Sequence, residues 1–242
     1  KSTPKPALGY ERKNFWKEAD PSEHKAAMDY AVAYKDFLNK AKTERETVAY
    51  VEAMLKKQKF VAMGSKKGAN RVYGIFRGKT MAIAVLGSEP ISKGFNMVAA
   101  HIDAPRVDLK QNPLYEDSTS QMACMRTHYY GGIKKYQWVS TPLALHGVVV
   151  KTDGSILNIC LGEDENDPVF IIPDLLPHLA RKEQYTKNLA DAIDASKMNL
   201  VFSGMVEPKT EDKDAVKAYA LKALNAKYGI TEADFLSAEL QL

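Results

Sequence analysis

A histidine and an aspartate two positions apart are the strongest candidates for chemistry in this sequence. His101 and Asp103 end an almost wholly apolar segment, residues 96–102, whose pattern predicts a central strand buried on both faces. Alternate residues of a strand point to the same side, so the imidazole can bind a metal ion while the carboxylate orients it. By the pattern alone, a structural, hydrogen-bonded histidine is the favoured interpretation.

Two other patterns look chemical but are better explained by structure. Gly78, Lys79 and Thr80 resemble the end of a phosphate-binding loop, yet they lie between two predicted strands rather than before a helix. A run of aromatic residues and lysines, residues 129–138, can stack on nucleic-acid bases. Half-buried strands and subunit interfaces also favour aromatic residues, and we expect that second role.

The elements before His101 follow from hydrophobic periodicity and capping residues. Asp20, Pro21 and Glu23 predict the start of a helix whose apolar stripe continues to about residue 41. A second helix is expected from about residue 44 to the lysines near residue 60. Residues 71–77 and 80–86 then predict a hairpin, so the first part of the chain combines helices with strands.

The elements after His101 are mostly short strands and turns. Asp153 and Gly154 predict a hairpin between residues 147–151 and 155–161, because both residues tolerate turn conformations. Residues 215–228 predict an amphipathic helix that ends at Gly229. Residues 236–242 alternate between apolar and polar, and this unfinished strand pattern predicts that the chain is part of a longer polypeptide.

The composition of the 242 residues excludes several classes of protein. Forty-five per cent hydrophobic and 26% charged residues are typical of a globular chain, and no apolar run is long enough to span a membrane. Two cysteines, Cys124 and Cys160, are too few for a disulfide scaffold and favour a cytoplasmic protein with both residues buried. Residues 1–80 carry 18 Lys or Arg and 9 Asp or Glu, which we interpret as solvated helix faces, not a nucleic-acid surface.

Four segments together resemble one enzyme family. The first is VAAHIDAPRVDL with its continuation KQNPLYED, residues 98–117, and the others are YYGGIKKYQW, IIPDLLPHLAR and DFLSAEL. In this order they are similar to the M18 metallo-aminopeptidases, the aspartyl aminopeptidase and aminopeptidase I family, and most similar to the bacterial type. The likeness is collinear over nearly the whole chain.

The resemblance implies an α/β fold with a divided domain plan. Residues 1–104 would form the first part of an α/β/α zinc-peptidase domain. Residues 105–234 would be an inserted β-rich dimerisation domain, and residues 235–242 a strand that returns to the peptidase domain. The remaining family ligands, including a catalytic glutamate, would lie beyond Leu242, so this chain would be inactive alone.

The resemblance also implies roles for individual residues and partners. His101 would ligate zinc, and Asp103 would be a catalytic residue that orients the His101 imidazole. His178 would be a catalytic residue that binds metal or reaches a neighbouring subunit's active site. A complete site would hold two zinc ions, and other divalent metals are possible. The expected partners are peptide substrates, the carboxyl-terminal portion of the enzyme and further copies in a dimer-based oligomer, up to a dodecamer, with no nucleic acid and no membrane. The alternative is a non-catalytic oligomerisation scaffold derived from such an enzyme.

Overall fold

The computed structural model describes residues 9–10, 12–206, 208 and 213–242. The chain divides into two compact units. The first comprises residues up to Lys42 together with Glu46–Gly87, and the second comprises Thr43–Arg45 and Ser88–Leu242. Among the described residues, no helix is both long and apolar enough to cross a membrane.

The amino-terminal part contains three helices and a small sheet. The helices are α1 (Phe15–Glu18), α2 (Pro21–Lys40) and α3 (Glu44–Lys57). The strands are β1 (Val61–Ala62), β2 (Arg71–Phe76) and β3 (Thr80–Val85), which form a sheet in the order β1-β2-β3. Strand β1 pairs parallel to β2, and β2 pairs antiparallel to β3 across a turn at Arg77 and Gly78.

The start of α2 confirms the capping prediction. The Asp20 carboxylate accepts hydrogen bonds from the backbone N–H groups of Ser22 and Glu23, while the Glu23 carboxylate accepts one from the Asp20 backbone. These contacts satisfy donors that the first helical turn leaves without partners. Although α2 has 20 residues, it buries none of them.

The second unit is built on a six-stranded antiparallel sheet. Its strands are β4 (Arg106–Asp117), β5 (Met122–Tyr130), β6 (Leu145–Val150), β7 (Ile156–Leu161), β8 (Leu200–Ser203) and β9 (Ala238–Gln241), in the order β7-β6-β9-β4-β5-β8. The helices α4 (Pro177–Glu183), α5 (Leu189–Ala192) and α6 (Ala215–Tyr228) accompany this sheet. The predicted 153–154 hairpin is confirmed as the β6–β7 turn, with Gly154 at φ +83°.

The main hydrophobic core lies in the second unit. Phe170 and Leu200 are fully buried there, and α6 contributes Val216, Ala220 and Leu224 from one face. The predicted end of α6 is confirmed, because Gly229 adopts the left-handed conformation and its N–H donates to the carbonyl of Asn225. The predicted strand near the end of the sequence is confirmed as β9, which lies between β6 and β4.

The structure corrects two expectations and leaves one as a prediction. Residues 96–102 do not form a buried strand; they have no regular secondary structure and are exposed, and Val98 is 97% accessible. A central strand needs neighbours on both edges, and none of the described residues pairs with this segment. Cys124 is buried as expected, but Cys160 is exposed. The α/β fold class is confirmed, and the domain boundaries at residues 104 and 234 stay a prediction.

Candidate metal centre

The candidate metal centre begins with the contact between His101 and Asp103. Nδ1 of His101 lies 2.9 Å from the carbonyl oxygen of Asp103 and 3.3 Å from its carboxylate Oδ1. Both neighbours are acceptors, so they favour the tautomer in which Nδ1 carries the hydrogen. In that tautomer Nε2 has a free lone pair, on an imidazole whose side chain is 83% exposed.

Tyr130 holds the other oxygen of the same aspartate. Its hydroxyl donates to Oδ2 of Asp103 over 2.8 Å, from the last residue of β5. This hydrogen bond is the largest cause that lowers the pKa of Asp103, and in turn it raises the pKa of the Tyr130 hydroxyl. The carboxylate is therefore ionised at neutral pH and remains an acceptor.

Arg106 fixes the ring of Tyr130 in turn. The two residues are directly opposite in the β4–β5 pairing, and the guanidinium carbon lies 4.3 Å from the ring centroid. Arg106 donates from Nε to Asp108 over 2.7 Å and from Nη1 to Glu44 over 2.8 Å. Because two carboxylates hold this largely buried cation, the cation–π contact has a fixed geometry.

These residues fit one ligand of a zinc site but not a whole site. A neutral imidazole with its second nitrogen held by a carboxylate and a carbonyl is the usual form of a zinc-ligating histidine. Within the described ranges, however, no group of three or more His, Cys, Asp or Glu residues is placed to hold a metal ion. The pair therefore needs further ligands from elsewhere.

His178 lies far from this pair in the sequence and belongs to a different element, helix α4. It occupies the first turn of α4, whose first residue is Pro177. Its side chain is exposed. Since the described residues contain no three-membered metal cluster, His178 does not join His101 and Asp103 in one within this chain.

Two other histidines of the second unit have structural surroundings. His146 is buried in β6 with Nε2 3.0 Å from the carboxylate of Glu163. His128 is exposed on β5 and stacks on Tyr129. Sequence reasoning missed Tyr130 and Arg106 as parts of the candidate site. Tyr130 stood out only as one of several aromatic residues, and its pairing with Arg106 depends on a strand register that no motif encodes.

A model of one protein family matches most of this chain. The model of the family described as aminopeptidase I zinc metalloprotease (M18) matches residues 37–242, which include His101, Asp103, Tyr130 and His178. The chain belongs to the M18 family. The predicted resemblance is thereby confirmed, as is the assignment to a zinc metalloprotease family.

Curated and solved M18 relatives cover nearly all of this chain. A probable M18 family aminopeptidase 1 from Clostridium acetobutylicum is 44% identical over 239 residues, which are 96% of this chain and 51% of the relative. The crystal structure of an M18 aminopeptidase from Thermotoga maritima is 42% identical with a TM-score of 0.86, covering 96% of this chain and 50% of that one. The chain thus spans about half the length of these M18 relatives.

A more distant solved structure shares the fold alone. It is described as an mApe1 dodecamer from S. cerevisiae, and it is 20% identical with a TM-score of 0.60. The match covers 88% of this chain and 47% of that one.

Proposed function

We propose that the complete protein to which this chain contributes is a zinc-dependent aminopeptidase that releases amino-terminal residues from peptides. The observation that carries the proposal is the His101–Asp103 contact inside a segment that the M18 family model matches. The names of the curated relatives, probable M18 family aminopeptidases, support the reaction class. We place the protein in the cytoplasm, and this location stays a prediction.

In this proposal the residues of the chain position one metal ligand. His101 would bind zinc through Nε2, while Asp103 keeps the hydrogen on Nδ1 and the ring in one orientation. The chemistry that zinc supplies in such sites is polarisation of the scissile carbonyl and acidification of a bound water. We propose two zinc ions for each complete site, with the other ligands outside the described residues.

The direct test substitutes each member of the pair in the full-length protein. His101→Ala should remove bound zinc and abolish hydrolysis of aminoacyl substrates, because the ligand atom is gone. Asp103→Asn should keep the fold and weaken zinc binding about 10 to 100-fold, because an amide holds the imidazole less well. Zinc content by mass spectrometry and rates on aminoacyl anilides measure both effects; full activity and zinc content in Asp103→Asn would contradict the assigned role.

We propose that this chain associates with the carboxyl-terminal portion of the same enzyme. The chain spans about half the length of its relatives, and the small sheet leaves several apolar side chains exposed. Ile75, Ile83 and Val85 share one face of that sheet by strand alternation and are 38%, 49% and 65% exposed. Adding the remaining portion to residues 1–242 should cover the face and give activity that neither part has alone.

The same reconstitution separates the enzyme from the alternative of a scaffold. If the reconstituted material oligomerises but neither binds zinc nor cleaves any aminoacyl substrate, the non-catalytic scaffold is favoured. If residues 1–242 alone cleave such substrates with zinc, the proposed dependence on the remaining portion is wrong. One exposed histidine with one acidic neighbour cannot form a closed zinc site, so we expect no activity from the isolated chain.

We further propose a homo-oligomer in which His178 serves a neighbouring subunit. The exposed position of His178 on α4, away from any cluster in the described residues, supports a role across a subunit boundary. A related M18 structure is itself described as a dodecamer. Mixing full-length His178→Ala with full-length His101→Ala should restore partial activity if subunits exchange. Exchange shown by mass without any activity would exclude the trans role.

A further inference from the structure

The hydroxyl of Tyr130 is the only polar group of its side chain, and it is directed at the aspartate of the candidate centre. The hydrogen bond to Oδ2 of Asp103 joins residues 27 positions apart, so it depends on tertiary structure. The other carboxylate oxygen of Asp103 faces Nδ1 of His101. Asp103 is therefore held between the imidazole and the phenol.

The ring of Tyr130 cannot easily leave this position. It stacks against Arg106, and the guanidinium is held by Asp108 and Glu44 at 2.7 and 2.8 Å. Arg106 and Tyr130 are also direct neighbours across the β4–β5 pairing. This sheet provides the rigid support that the exposed segment 96–102, which pairs with no strand in the described part of the chain, does not provide.

We infer that Tyr130 is a positioning residue for His101 and acts through Asp103. Because Tyr130 belongs to β5, the sheet of the second unit supports the candidate site. The inference rests on the proposed zinc aminopeptidase function and adds a residue to it. Tyr130 holds the Asp103 carboxylate in one rotamer, the carboxylate and the adjacent carbonyl hold the imidazole, and Nε2 of His101 is thereby aimed in one direction. Arg106 keeps the phenol in reach of Asp103.

The neighbouring Tyr129 supplies a matched control. It is 41% exposed, almost the same as Tyr130 at 42%, and it lies in the same strand. Tyr129 stacks on His128 instead of contacting Asp103. The substitution Tyr129→Phe therefore makes the same chemical change without touching the proposed chain of contacts.

The test compares Tyr130→Phe with Tyr129→Phe in the full-length zinc-loaded protein. Tyr130→Phe keeps the ring on Arg106 and removes only the hydroxyl, so zinc affinity, measured by chelator competition, should fall about 10-fold. The value of kcat should fall with it while KM is unchanged. Tyr129→Phe should stay within about twofold of the parent in all three quantities. The thermal midpoint of the zinc-free protein should be the same in both variants.

A double variant shows whether Tyr130 acts through Asp103. Adding Tyr130→Phe to Asp103→Ala should cause no further loss of zinc affinity, because the acceptor of the hydroxyl is already absent. Equal losses in both backgrounds would overturn the inference. So would unchanged zinc affinity in Tyr130→Phe, with or without a lower thermal midpoint, since that is the result of a structural role. If the parent binds zinc and is active, such results reject only the role of Tyr130; a parent that binds no zinc rejects the proposed function and this inference together.

Discussion

Two helices that the sequence predicts from apolar periodicity have different surroundings in this molecule. Helix α6 buries Val216, Ala220 and Leu224 against the six-stranded sheet. Helix α2 is longer, is capped by Asp20 and still buries no residue, and Tyr30 on it is 74% exposed. The same contrast holds for the sheets, because the larger sheet carries the core while the smaller one exposes apolar side chains.

The contrast teaches that periodicity defines a face but does not supply the surface that covers it. In the second unit the six-stranded sheet and α6 cover one another, so the main hydrophobic core is closed. In the first unit the described residues leave apolar side chains such as Phe76 and Val85 about two-thirds exposed. Since the relatives are twice as long, we propose that the rest of the enzyme covers them, and the predictions below test that difference.

The largest effect is expected from paired phenylalanine substitutions. Phe170 is fully buried and stacks on Phe202, whereas Phe76 is 67% exposed. Phe170→Ala should lower the free energy of unfolding by about 4 kcal/mol, and Phe76→Ala by less than about 1 kcal/mol. Urea unfolding of the 242-residue chain measures both. In the full-length enzyme the cost of Phe76→Ala should rise, and an unchanged cost would argue against coverage of the Phe76 side chain.

A glycine in each sheet provides the second comparison. At Gly147 in β6 an added Cβ would lie 1.9 Å from the carbonyl oxygen of Glu239, and φ is +142°. At Gly74 in β2 nothing lies within 4 Å of that position. We expect Gly147→Ala to cost about 3 kcal/mol through displacement of β9, and Gly74→Ala to be neutral or slightly stabilising. Thermal unfolding of the two variants measures this difference. Equal midpoints would contradict the close approach of the Glu239 carbonyl to Gly147.

Paired leucines on the two helices should show a smaller difference. Leu224 in α6 is 3% exposed and Leu38 in α2 is 49% exposed. Leu224→Ala should destabilise the second unit by about 2 to 3 kcal/mol, while Leu38→Ala should change stability by about 0.5 kcal/mol or less in the 242-residue chain. Hydrogen exchange of α6 and of α2 separates the two responses. Equal loss of protection in both helices would mean that α2 is packed after all.

The smallest effect concerns the pH dependence of the ion pair between Lys151 and Asp234 in the second unit. The Thr231 backbone N–H, and then its hydroxyl and Lys151, lower the pKa of Asp234 below its ordinary value of 3.8. Because the folded pKa is the lower one, this carboxylate stabilises the fold above about pH 4, and the contribution disappears as pH falls through the folded pKa. Asp234→Asn should therefore lower the thermal midpoint at pH 7 and lose its effect near pH 2. Asp29→Asn, at an exposed pair on α2, should have little effect at either pH.

Much of the fold was predictable because its signals are local. The cap at Asp20, the turn at Gly154 and the left-handed residue at Gly229 each act within a few positions of the chain. These signals predict the start of α2, the β6–β7 hairpin and the end of α6, and the structure confirms all three. The strand predicted for residues 96–102 was wrong for the opposite reason, since a buried strand depends on neighbours far along the sequence.

The sequence by itself determined the local elements, the family and the candidate pair His101 and Asp103. Capping, turn chemistry and a contiguous motif need only nearby residues. Only the tertiary structure decided the contacts around that pair. Tyr130 meets Asp103, and Arg106 meets both Tyr130 and Glu44, through strand register and packing over as many as 62 positions of sequence. No short pattern encodes such a register, which emerges when the antiparallel strands align their apolar faces in a common core.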